Sequence, residues 1–477
     1  MRRVAAIVSL VCTACALAQP MPDDKVERLG ELLDAHKNAE ALVLAKEIAE
    51  ASPRNHLAQY NLACAQAVAG NTKTAMDTLV KAIGLGFVDF DVMERDPHLD
   101  AIRNEPMYLA IMSGGWAELL EQRADADRVS VRNALDAKSY AHERDDLTRL
   151  NIASAFDPRG LAAAKREMQR VTDWSWQHLP MLFGFEPERP PAWVTVILPT
   201  TRDFVRLIGV PNVGGYYDKD NKRLVCRDVG PSLRHEFFHV LHWRYMLRAG
   251  CIQPIWVQEG LASLFEDMAG AGADATFLPS WRTNMVKRMH RRGGIVDLED
   301  LISMPRKRFM GSRRQAHYAE ARALMMYLAD RDVLGDWYAA YVAGFEADPS
   351  GAAALCAALG GADLDEVQRG FEKWLEALPE VSEVGEPRGA TFGVVMDAGA
   401  GDGPIVGEIV AGRVPASATG ERLRHRDVVL AVEGEPTPTL DDLYRVLGER
   451  EPGSEVEVLV RRGSRGLTVR ALLIAAE

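Results

Sequence analysis

Apolar and small residues recur at helical spacing through the first quarter of the chain. Tyr60, Leu62, Ala63 and Ala67, then Ala75, Leu79, Ala82 and Ile83, flank the breaker Gly70-Asn71, a pattern that predicts a helical hairpin. Residues 27–53 read as a degenerate copy ahead of it, and 96–111 as a capping helix pair behind it. A charged helical pattern runs over about 116–150. Residues 165–182 form an amphipathic helix with Trp174 and Trp176 as expected core anchors. The period then changes: 192–198 is rich in β-formers, and 214–218 and 223–226 flank a polar turn as a hairpin. Helical spacing resumes at about 231–247 and 256–268, then at 279–290, 316–330, 335–345 and 364–378. Beyond an acidic, Gly- and Pro-containing stretch at 380–387, short strands are expected at 392–396, 405–410, 428–432, 456–460 and 467–473. One helix, 440–447, interrupts them.

A chain of 477 residues exceeds one ordinary core, so two to four domains are expected. Hydrophobic residues at 47% and charged residues at 26% exclude wholesale disorder. The net charge of -12 argues against nucleic acid as a partner, because phosphate binding needs a positive field. Arg2 and Arg3, an apolar run from Val4, and Ala16-Leu17-Ala18 read as a signal peptide over 1–18, cleaved near Ala18. Its loss takes both arginines and lowers the charge from -12 to -14. Cys15 is a weak lipid-anchor candidate, since Cys12 stands where such sites want Leu. No later segment has an apolar run long enough to span a bilayer. The mature protein is expected to be soluble and extracytoplasmic, periplasmic or secreted. Cys64, Cys226, Cys251 and Cys356 are too widely spaced for a disulfide framework. Cys226–Cys251 is the one candidate bridge, and buried single thiols are the favoured reading.

The chemistry is concentrated in His235-Glu236-Phe237-Phe238-His239 and Trp256-Val257-Gln258-Glu259-Gly260. Helix residues four apart lie one turn above each other, so His235 and His239 can direct both imidazoles at one ion. Glu259, on a second helix, can add a carboxylate. Two imidazoles, one carboxylate and an open position describe a catalytic zinc site, not a closed structural one. Glu236 is placed to reach a water at that ion.

The stretches 233–241 and 254–262 resemble the glutamate zincins (gluzincins), in particular the bacterial peptidase MA-like branch. The resemblance covers about 192–330, roughly a third of the chain. It implies one zinc ion held by His235, His239 and Glu259, with Glu236 as general base and peptide-bond hydrolysis as the reaction. It also implies a tyrosine from the helix after the site as oxyanion donor, here Tyr318, with His317 as second candidate. The carboxylate that orients a zinc histidine in some relatives is replaced by Ser263. Glu266 is its candidate substitute, or else a surface residue. The 214–228 hairpin offers an edge to which an extended substrate can pair, with Gly214 and Gly215 permitting close approach; a purely structural hairpin is the alternative.

Residues 60–83 resemble a tetratricopeptide repeat. Thr391-Phe392-Gly393-Val394, with Pro415-Ala416, Ala418, Leu423 and 427–434, resembles a bacterial-type PDZ domain. That implies peptide capture by the Phe392, Gly393 and Val394 backbone. Arg426 stands where that family has Gly before Asp427, which puts the loop geometry in doubt. Ten Arg and Lys residues between 282 and 314 are either a cleft border favouring acidic substrates or a solvated face. The expected architecture is multidomain: a signal peptide (1–18), α-helical TPR-like repeats (24–112), a helical connecting region (113–190), an α+β zincin-like metallopeptidase domain (191–380), a linker (381–390) and a small β-rich PDZ domain (391–477). Expected partners are a protein or peptide substrate, and proteins bound through the repeat and PDZ-like modules. The rival reading is a non-catalytic envelope scaffold or peptide-binding protein on a peptidase-like fold.

Overall fold

Small residues let the first helices lie close together. α1 (Asp23–Asp34), α2 (Asn38–Ala51), α3 (His56–Val68) and α4 (Thr72–Leu85) pack in succession, each on the next. Ala58, Ala63, Ala75 and Ala82 are wholly buried, so no long side chain holds the helices apart. Asn55 caps α3 by accepting from the N–H groups of Leu57 and Ala58. Gly70, at φ 78°, makes the turn into α4 in the left-handed region that glycine tolerates. This computed structural model describes residues 23–476 except 137, 184–188, 209–213, 271, 312, 362, 382–388, 398–402, 410–421, 438–439 and 464. The expected signal peptide, most of the linker, and Pro415, Ala416 and Ala418 lie outside the described residues.

The central sheet has five strands: β1 (Ala141–Asp145), β2 (Leu150–Ser154), β3 (Val194–Leu198), β4 (Gly215–Asp218) and β5 (Arg223–Cys226). Their order is β1-β2-β3-β5-β4. β2, β3 and β5 run parallel, while β1 and β4 are antiparallel edges. β2 and β3 are buried along their whole length, as strands covered on both faces must be. Here the sequence reading needs correction. The helix expected over 116–150 stops at Ala134, and the supposedly helical 113–190 segment supplies β1 and β2. β1 reads Ala-His-Glu-Arg-Asp and is largely exposed, so no apolar alternation marks it. Only its pairing with β2 makes it a strand.

The helices that carry the site follow the sheet. They are the histidine helix (Pro231–Ala249), the glutamate helix (Ile255–Leu264) and, later, the tyrosine helix (Arg314–Asp330). Phe237, Phe238, Trp256, Phe265, Leu324 and Trp337 share one core among them. Trp174 joins that core, edge-on to Phe265 and Phe277. Trp176 does not: its side chain is 59% exposed. All four described cysteines are free thiols. Among the described residues, no helix is long and apolar enough to cross a membrane.

The C-terminal residues build a separate apolar cluster around Phe392, Val406, Val429, Leu443 and Val458. Ala390–Thr391 pairs with Ile474–Ala475, bringing the two ends of this unit together. Val394–Asp397 is an edge strand of its sheet. Arg426, where the PDZ resemblance expects glycine, has φ 69°.

Candidate metal centre

Pro231 opens the histidine helix, where its missing N–H leaves no bond unmade, and Gly250 at φ 71° closes it. His235 and His239 project from successive turns, and both are buried. Their Nε2 atoms are 3.2 Å apart, and each lies 3.3 Å from Oε2 of Glu259. Three donors at about 2.05 Å from a tetrahedral zinc ion stand about 3.3 Å apart. The observed triangle fits that geometry. Oε2 of Glu259 is buried without a hydrogen-bond partner, an unpaired anionic acceptor aimed at two ring nitrogens. Among the described residues, this trio is the one cluster of His, Cys, Asp and Glu with metal-ligand geometry.

The electrostatics favour a cation here. Burial opposes protonation of His235, but Glu259 and Glu266 outweigh it and push the imidazole up to about 10. Burial likewise opposes ionisation of Glu259, yet His239 and His235 hold its carboxyl well below the usual carboxylate range. A metal ion bound here would displace that proton, because an imidazole must be neutral to act as a ligand.

Glu266 is not a surface residue: its side chain is 12% exposed. Its Oε1 is 3.0 Å from Nδ1 of His235, near in distance though not aligned as a hydrogen bond. Arg282 grips the same carboxylate through Nε and Nη2, at 2.6 and 3.0 Å. Arg234 donates to the carbonyls of Phe265 and Glu266 and so fixes the backbone that carries Glu266. Nothing in the sequence pattern singled out Arg282 for this task beyond its membership of the basic cluster.

Glu236 lies beside the trio. Burial raises its carboxyl above the ordinary range, partly offset by His235 and His239. Its Oε2 accepts from the main-chain N–H of Tyr217 on β4 at 2.9 Å. A Cβ on Gly215 would stand 2.8 Å from Cγ of Glu236, and one on Gly214 would stand 1.9 Å from Oγ of Ser232. These glycines let β4 lie close against the histidine helix, and both also line the cleft.

Tyr318 and the metal trio line one open cleft of about 1420 Å³. The Tyr318 ring lies roughly parallel to His235, with centroids 6.4 Å apart. Burial, then the charges of Glu259 and Glu236, push its phenol well above the usual range, so it stays a donor. His317 faces away: its Nδ1 is 2.9 Å from the Phe309 carbonyl. It is removed as a candidate. Gly260 brings the glutamate helix against the tyrosine helix, where a Cβ would meet the Ala321 carbonyl at 3.0 Å. In the C-terminal unit the Phe392 side chain is core, Gly393 has φ 71°, and Val394 begins the edge strand.

No protein-family model matches the chain, and comparison with curated proteins finds no match. Among solved structures, an aminopeptidase N family protein from Idiomarina loihiensis is 12% identical over 71% of this chain and 67% of that one, with a TM-score of 0.22. A likeness at that score carries no argument about this chain.

Proposed function

We propose that the chain is an extracytoplasmic zinc-dependent peptidase. The observation that carries this reading is the triangle of Nε2, Nε2 and Oε2 from His235, His239 and Glu259, with Glu236 beside it. Zinc held there would act as a Lewis acid and lower the pKa of water to roughly 7. Glu236 accepts the proton of the attacking water and returns it to the departing amine. Its environment suits both roles, since burial raises its proton affinity while the Tyr217 N–H fixes its orientation. Tyr318, kept protonated by its surroundings, donates to the oxyanion that develops on the scissile carbonyl. The outer edge of β4 faces the cleft and offers its backbone to an extended substrate.

The flanking units fit recruitment of protein partners. The α1–α4 stack has the small-residue packing of a tetratricopeptide repeat. In the C-terminal unit, a glycine turn at Gly393 leads into an edge strand, the arrangement a PDZ-like module needs to receive a peptide terminus. The test is zinc stoichiometry together with cleavage of a proteome-derived peptide library, with and without chelator. One zinc per chain and chelator-sensitive cleavage are expected. Zinc binding without cleavage at any sequence would favour a non-catalytic scaffold.

A further inference from the structure

The proposed peptidase site leaves two positive charges that no described residue pairs with. Within the cleft, Glu259 belongs to the metal trio and Glu266 is held by Arg282. Lys219 is 2.5 Å from Asp220. Of the basic cluster that follows the third ligand, Arg282, Lys287, Arg291, Arg308 and Arg313 are engaged by carboxylates or main-chain carbonyls. Arg288 and Lys307 also have partners. Arg306 and Arg314 line the cleft, and among the described residues their guanidinium groups have no carboxylate or hydrogen-bond partner.

Their placement is specific. Arg314 stands four residues before Tyr318, so it shares that face of the tyrosine helix one turn nearer its start. Arg306 begins the short helix Arg306–Phe309 and acts electrostatically on Tyr216 of the β4 edge. A substrate strand laid along β4 would lie in the cleft that these arginines and Tyr216 line together. Unpaired arginines facing a cleft in a chain of net charge -12 are set to receive an anion, and their fork geometry matches a carboxylate.

We propose that Arg306 and Arg314 form a carboxylate-binding subsite that selects peptides bearing a negative charge within a few residues of the scissile bond. The proposal rests on the peptidase reading for its substrate class. The carboxylate comes either from an acidic side chain or from the peptide's own C-terminus, and the two sources are separable.

The experiment uses the zinc-loaded full chain and paired peptides, Glu against Gln at each position flanking the cleaved bond, plus free-acid against amidated termini. At one position kcat/KM should favour the carboxylate by about tenfold or more, as hydrogen bonds to a charged group warrant. A preference confined to Glu assigns the side chain; one confined to the free acid assigns the terminus. The preference should shrink as ionic strength rises. In Arg306→Glu/Arg314→Glu the ratio should invert toward Lys-bearing peptides, an outcome that mere damage to the fold does not produce. Ratios within about twofold at every position and terminus in the unaltered chain would overturn the subsite. If no peptide is cleaved, the peptidase reading fails by itself. Anisotropy with the same labelled peptides then decides the subsite: tighter binding of the acidic member supports it, and equal binding overturns it.

Discussion

The main-chain N–H of Tyr217 donates to Oε2 of Glu236 across 2.9 Å, tying the edge strand of the sheet to the candidate general base. A glutamine amide at 236 keeps an oxygen for that N–H but cannot take a proton from water. Glu236→Gln should therefore lower kcat by about 10²- to 10⁴-fold. Zinc content should be unchanged, because Glu236 is outside the ligand triangle. Metal analysis alongside peptide hydrolysis checks both halves, and retained full activity would reject the mechanism.

The same contact makes Gly215 sensitive. A methyl group there must share space with Cγ of Glu236 at 2.8 Å and with Sγ of Cys226 at 3.2 Å. In Gly215→Ala the carboxylate has to move while His235, His239 and Glu259 stay in place. Displacing a reacting group by about 1 Å costs on the order of 10² in rate. A fall of that size in kcat at normal zinc stoichiometry is expected. Equal loss of zinc and activity would point to general disruption of the sheet edge.

What the sequence revealed and what it hid follow from how local each feature is. Helical spacing alone brings His235 and His239 together, whereas Glu259 joins them through the packing of the next helix against theirs. The 214–226 hairpin was equally visible, because its turn residues interrupt two β-rich runs. The Tyr217–Glu236 bond was not visible, since a backbone donor has no residue signature. β1 was hidden because an exposed edge strand needs no apolar alternation. His317 and Tyr318 are adjacent in sequence, yet only the register of the tyrosine helix sends one to Phe309 and the other into the cleft.

Glu266 sets the charge beside His235. Replacing it with glutamine removes the anion 3.0 Å from Nδ1 and takes from the mostly buried Arg282 the carboxylate it grips. Partners of this kind orient metal-bound histidines, and their loss lowers metal affinity about 10- to 100-fold. Competition with a chromophoric chelator should show a drop of that order in Glu266→Gln. An unchanged affinity would mean that Glu266 serves Arg282 alone.

Glu320 gives a pH signature away from the metal. Burial lifts its carboxyl up to about 7, although Oε1 accepts from the Val296 N–H at 2.8 Å. The native state holds this proton more tightly than the unfolded chain does, whose carboxyl has the ordinary value of about 4.5. The contribution is full below about 4.5 and is lost as pH rises through about 7, on the order of 3 kcal/mol in total. Glu320→Gln should flatten that slope, because an amide can accept from Val296 without carrying charge. Denaturant melts at stepped pH read the difference; identical slopes in the two proteins would refute it.

Arg426 occupies a left-handed turn, φ 69°, with its side chain exposed. The turn is imposed from both sides. Asp427, fully buried, accepts from the Arg424 N–H and from Nε and Nη2 of Arg462, each at 2.8 Å. The Arg426 N–H itself donates to the Val406 carbonyl at 2.8 Å. A non-glycine residue in this region pays about 1–2 kcal/mol, while glycine forfeits about 0.5–1 kcal/mol of chain entropy on folding. Arg426→Gly should therefore stabilise the C-terminal unit by up to about 1.5 kcal/mol. The unfolding transition of that unit in the full chain should move upward, with slower amide exchange in Val428–Val432. A downward shift would show that the arginine side chain contributes more than its backbone conformation costs.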